Sequence, residues 1–172
     1  MARCSRTPTA PRGRRSSRRA VPCFAGLLVF VIVGCATDSA TPGELPSTYK
    51  ATYQQTRACR LSIEHDLMHI NVLADEAAFA PYMNRSDPFP TGSVVVKKEY
   101  GQDDDPCSGA LQFYTVMKKL PIGTDVAAQD WTWRKVDASF NTIDTNIKSC
   151  TNCHADCGHS PDGYDGTCTA SP

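Results

Sequence analysis

Beyond residue 68 the chain sets short valine- and aromatic-rich runs between clusters of Pro, Gly and Asp, a pattern of strands and turns. Met68 to Leu73 reads as a short strand, and Asp75 to Tyr82 as a short Ala-rich helix ending near Pro81. Phe89-Pro90-Thr91-Gly92 predicts a turn, followed by a strand from Ser93 to Tyr100 rich in valine. Gly101 to Gly109 is an acidic loop, and Phe113 to Leu120 and Trp131 to Val136 predict two more strands. Ser47 to Arg60 starts with a residue suited to cap a helix and carries Tyr49 and Tyr53, a four-residue step that suits one helical face. Thr142 to His154 predicts a closing helix. The expected fold is α+β, a mainly antiparallel β-sheet with N- and C-terminal helices packed around it.

The N-terminus changes the picture of where this domain works. Arg3, Arg6, Arg12, Arg14, Arg15, Arg18 and Arg19 precede an apolar run from about Val21 to Val33, with no acid among them. The run is shorter than the ~20 residues that span a bilayer, so a signal peptide over residues 1–34 is expected rather than a transmembrane helix. Ile32-Val33-Gly34-Cys35 resembles a bacterial lipobox, which predicts cleavage before Cys35 and lipidation of its thiol. Residues 35–46, rich in Thr, Pro, Ser and Gly, read as a flexible tether, and residues 47–172 as one domain. The expected location is the periplasmic face of a bacterial membrane; Ala36 after the lipidated cysteine favours the outer membrane.

Removing the leader also uncovers a charge. All eighteen acids lie beyond residue 34, against 18 − 7 = 11 Lys and Arg, so the mature chain carries 11 − 18 = −7. An acidic chain without a basic cluster argues against nucleic acid as a partner, and leaves the lipid anchor as its hold on a membrane.

Cys150-Thr-Asn-Cys153-His154 carries the chemistry. C-x-x-C-H is the attachment signature of haem c: two thioethers to the vinyl groups, and the histidine as axial ligand of the iron. The nine cysteines divide accordingly. Cys4 and Cys23 leave with the leader, Cys35 takes the lipid, and Cys150 and Cys153 take the haem. Cys59, Cys107, Cys157 and Cys168 remain, an even set for an oxidising compartment, with three possible pairings. Cys157–Cys168 is favoured, stapling the tail of residues 157–172, with Cys59–Cys107 pinning the first helix to a loop. A competing account makes Cys150, Cys153, His154 and Cys157 four zinc ligands. It crowds all four into eight residues and leaves three cysteines over.

His65 and His69 stand four apart, but the strand expected from Met68 makes them diverge. His159 reads as exposed, Trp131 and Trp133 as core residues on one strand face, and Asp103 to Asp105 as a solvated turn.

Phe89-Pro-Thr-Gly-Ser-Val-Val-Val-Lys97, Phe113 to Lys118, Asp130-Trp-Thr-Trp133 and the late C-x-x-C-H together resemble the cytochrome P460 family. The resemblance covers most of residues 60–155. It implies an antiparallel sheet, usually dimeric, with one c-type haem against its face. It further implies a lysine of the first long strand joined to the porphyrin edge, which by the Phe-Pro-x-Gly anchor is Lys97. Strand alternation alone prefers Lys98, which shares the more apolar face with Val94, Val96 and Tyr100. The implied activity is oxidation of hydroxylamine or a related small nitrogen compound, with electrons leaving to a partner such as a soluble cytochrome. A carboxylate assisting proton removal belongs to that chemistry, and Asp144 is the candidate before Cys150. The alternative is a non-catalytic module that binds nitric oxide or another gas, as in the related β-sheet cytochromes c-prime.

Overall fold

The computed structural model describes residues 45–168. The leader, Cys35 and the tether up to residue 44 lie outside them. Six strands form one sheet in chain order, each antiparallel to its neighbours. They are β1 (Gln54–Ser62), β2 (Met68–Ala74), β3 (Val94–Tyr100), β4 (Leu111–Lys119), β5 (Trp131–Asp137) and β6 (Thr142–Thr145). Three helices accompany them: α1 (Tyr49–Thr52), α2 (Glu76–Asn84) and α3 (Lys148–Cys157). The fold is thus α+β. Among the described residues no helix is long and apolar enough to cross a membrane.

The two terminal elements differ from their sequence expectation. The helix expected over Ser47–Arg60 stops after one turn, and the chain continues as β1. Tyr49 and Tyr53 still meet, with ring centroids 6.2 Å apart, but the β-branched Thr56 and the pairing of β1 with β2 take over from there. Cys59, bonded to Cys107, therefore pins an edge strand rather than a helix to the acidic loop. At the other end, Thr142–Thr145 pairs with β5 before α3 begins at Lys148. Asn146 breaks the run between them at a φ of 53°, and its N–H bonds to the Trp133 carbonyl at 2.9 Å.

α2 also outruns its expected stop at Pro81, reaching Asn84. The ring lacks only its own N–H, and the Pro81 carbonyl still accepts from Arg85 N at 3.0 Å. Burial of Tyr82 and Pro81 against the sheet holds the last turn. Asp75 caps the start through Ala78 N (2.8 Å), and its other oxygen accepts from Val94 N (3.1 Å), tying α2 to the head of β3.

Register sorts the sheet into two faces. Ala74, Val95, Met117 and Trp133 lie opposite one another across β2 to β5, as do Val72, Lys97, Thr115 and Lys135. This face packs under α2 and α3, with Trp131 and Phe89 in the same cluster. The opposite face carries Val96, Tyr114, Val116 and Val136, closed by Leu45 and Tyr49.

Candidate functional site

The face under α2 and α3 is hollow. A cavity of about 90 Å³ is lined by Ile70 and Val72 of β2, Val95 and Lys97 of β3, Thr115 and Met117 of β4, and Trp133 of β5. α3 closes it with Cys150, Cys153 and His154, and Arg60, His65 and Tyr82 line it further.

The structure divides the cysteines sharply. Cys59–Cys107 and Cys157–Cys168 are disulfides, with Cα atoms 5.7 and 5.0 Å apart. Among the described residues Cys150 and Cys153 are the cysteines outside any disulfide, and both line the cavity. Burial raises the pKa of the Cys150 thiol. Cys157 is committed to Cys168, which removes one of the four ligands from the zinc account.

His154 is held by the stapled tail. Its Nδ1 donates to the Gly166 carbonyl at 2.6 Å, leaving Nε2 as the nitrogen open to a metal. Its ring meets that of Trp133 at 5.5 Å. Burial keeps the imidazole neutral and carries its pKa down to about 4, against the opposing bond to Gly166. Gly166 is needed at this point: its φ is +83°, and a Cβ there would lie 2.5 Å from the Trp131 ring. The preceding Asp165 fastens the tail to the sheet. Its carboxylate accepts from Lys119 Nζ (2.6 Å) and Phe89 N (3.0 Å), and its carbonyl from Trp131 Nε1 (2.7 Å). None of this network is legible in the sequence, where Asp165 is one residue of the stapled tail.

Lys97 and Lys98 separate cleanly. Lys97 lines the cavity, whereas Lys98 lies on the other face with its Nζ 5.3 Å from the Tyr100 ring centroid. Lys97 Nζ is 3.2 Å from Glu99 Oε1, and the Thr115 hydroxyl donates to the same oxygen. Glu99 is almost fully buried. The carboxylate expected at Asp144 is not here: Asp144 sits exposed on edge strand β6, accepting from Thr145 N. Glu99 is the carboxylate beside the cavity, and its two-residue spacing from Lys97 on a strand was the available signal.

His65 and His69 diverge as expected. His65 ends a short 3₁₀ turn, Ile63–His65, and reaches the cavity; His69 on β2 faces the acidic loop, 4.0 Å from Asp105. His159 is exposed and bonds to Gln129 at 3.1 Å.

Two buried groups test whether the cavity suits a haem. Arg60 Nη1 and Trp133 Nε1 have no hydrogen-bond partner, and both residues line the cavity. A buried guanidinium nitrogen without an acceptor calls for one, and a haem propionate could supply it. Two cysteines outside any disulfide, a histidine with one nitrogen directed and one open, and this cation together form a donor set that fits the group.

No curated protein matches the chain. The model of the cytochrome P460 family matches residues 46–160, which takes in every strand, the cavity and the C-x-x-C-H segment. The chain belongs to the cytochrome P460 family.

Proposed function

We propose that this is an exported, lipid-anchored haem oxidoreductase that acts on hydroxylamine or a related small nitrogen compound. Membership of the family implies a c-type haem protein, and members of the family are haem enzymes. The observation that carries the finer reading is the convergence of Cys150, Cys153, His154 and Lys97 on one cavity. The first two would hold the porphyrin by thioethers, and His154 would ligate the iron through Nε2. When bound, the haem supplies the site where electrons leave the substrate.

The chain's own groups prepare that site. Gly166 O fixes which imidazole nitrogen faces the metal. Arg60 supplies a cation for a propionate. Glu99, oriented by Thr115, holds the Lys97 amine at the cavity. Ile70, Val72, Val95 and Met117 exclude water from the floor. Cys35 as anchor, residues 1–34 as leader and a soluble cytochrome as electron acceptor complete the proposal. A homodimer is part of it too, and the exposed Ile63 and Leu67 at the β1–β2 hairpin offer apolar surface for a second copy.

The test is mass spectrometry of peptides from protein matured with haem-attachment machinery. Haem linked to Cys150, Cys153 and Lys97 is the expected result. Haem on the two cysteines with Lys97 free would transfer the assignment to the gas-binding alternative.

A further inference from the structure

Gly166 and Cys168 lie beyond residues 46–160, so the match to the family does not account for them, yet both act on the helix that carries C-x-x-C-H. His154 Nδ1 donates to the Gly166 carbonyl at 2.6 Å. Cys157, one turn of α3 beyond His154, is bonded to Cys168, just after Gly166. The hydrogen bond and the disulfide thus join the same two segments and close one small ring of chain. Inside that ring Gly166 N donates to Gly158 O at 3.1 Å, and Gly163 N to His159 O at 2.6 Å. A Cβ on Gly158 would lie 2.6 Å from Gly166 Cα, so the segments meet backbone to backbone.

Gly166 is held from two sides. Before it, Asp165 is fixed to Lys119, Phe89 and Trp131 of the sheet side. After it, Thr167 bonds to Tyr164, which is itself part of the tail, and the covalent tie to α3 is the disulfide. Cys157 and Cys168 are only half-buried, which leaves the bridge within reach of a reductant. Cys157 Sγ also lies 2.9 Å from the carbonyl of Cys153, so the bridge sits directly on the haem-attachment motif.

Resting on the haem reading above, we propose that Cys157–Cys168 is a redox-sensitive clamp that sets the donor strength of His154. Closed, it keeps the Gly166 carbonyl on Nδ1–H, which raises the basicity of the imidazole and favours ferric iron. Opened, it lets the carbonyl leave the ring; the imidazole becomes a weaker donor and the reduction potential of the iron rises. The opening is thiol–disulfide exchange with a dithiol protein. One thiolate of the dithiol attacks a bridge sulfur, and its second thiol resolves the mixed disulfide. Two electrons and two protons then reside on Cys157 and Cys168 as thiols, and the dithiol has become a disulfide. Cys59–Cys107 ties β1 to the acidic loop instead and serves as an internal control.

The experiment measures the haem reduction potential of holoprotein by spectroelectrochemistry. Cys157→Ser combined with Cys168→Ser should raise it, by about 59 mV for a tenfold loss of preference for ferric iron in this one-electron couple. Cys59→Ser combined with Cys107→Ser should leave it in place. A second route covers a tail variant that matures poorly. Wild-type holoprotein is opened with dithiothreitol, capped with iodoacetamide and reoxidised with ferricyanide, and peptide masses identify the capped bridge. Cys157 and Cys168 should be capped, and the potential should rise as in the variant. An unchanged or lowered potential with the tail bridge open would overturn the proposal. So would an equal rise in both paired variants, or a tail bridge that dithiothreitol leaves closed. A colourless wild type would remove the haem reading as well, whereas a coloured one whose potential ignores the bridge removes this inference alone.

Discussion

The two faces of the sheet are made from the same strands and have opposite characters. On the sealed face Val96, Val116 and Val136 pack with Tyr49 and Tyr114, whose hydroxyls bond each other at 2.9 Å. Phe140 stacks on the Tyr114 ring at 5.7 Å, and among the described residues no side chain of this cluster has a buried polar atom without a hydrogen-bond partner. Burial drives the pKa of Tyr49 well above the usual tyrosine range, so the pair stays neutral. The other face buries Glu99 and Lys119, half-buries Lys97, holds the two cysteines that form no disulfide and leaves Arg60 Nη1 without an acceptor. A face that only stabilises is satisfied within itself. A face with unmet valence and charge around a hollow is arranged for something the polypeptide does not contain.

The contrast is broken most severely at the thiols. Replacing Cys150 and Cys153 together by alanine should abolish covalent pigment entirely, as read by haem staining after denaturing electrophoresis. Pigment that survives would place the haem elsewhere. Asp165→Ala is next. It strands the buried Lys119 ammonium, and should cost about 3–5 kcal/mol in denaturant unfolding while disturbing the axial-ligand spectrum through Gly166. Loss of stability with an unchanged spectrum would show that the tail does not position His154.

The chain made without haem gives a third test. His154 near 4 and His65 near 2 lie below the ordinary histidine value of about 6.5, so the unfolded chain takes up protons that the folded one refuses. Stability should be full above about pH 6.5 and decline as the pH falls toward 4, by up to about 1.4 kcal/mol per pH unit for each histidine. His65→Gln should halve that slope. A level profile from pH 7 to 5 would contradict the burial of both rings. On the sealed face, Tyr49→Phe should cost only about 1 kcal/mol and leave any haem spectrum untouched.

The paired lysines sharpen the comparison further. Lys97→Leu should change the absorption spectrum of matured protein, and Lys98→Leu should not. They also show why this site was only partly legible. Alternation says that the apolar side of a strand faces the core, and it pointed to Lys98. Here both sides are buried, and the more polar one faces the cavity. The strands themselves were plain from their valines and aromatics, and C-x-x-C-H needs no fold to be recognised. The first helix was misread because a four-residue aromatic step fits one turn as well as four. Glu99, Arg60 and Asp165 were invisible as a set, since antiparallel register and two disulfides bring them around one cavity from three separate segments. His65 was seen, but its place beside the cavity depends on a hairpin whose left-handed residues no composition rule predicts.

The most direct measurement is the intact mass of exported, matured protein, combined with alkylation of its thiols. The account predicts one haem added per chain, with Cys150 and Cys153 closed to the reagent and iron present in equal amount. A chain of unmodified mass, iron-free and with both thiols open, would contradict it.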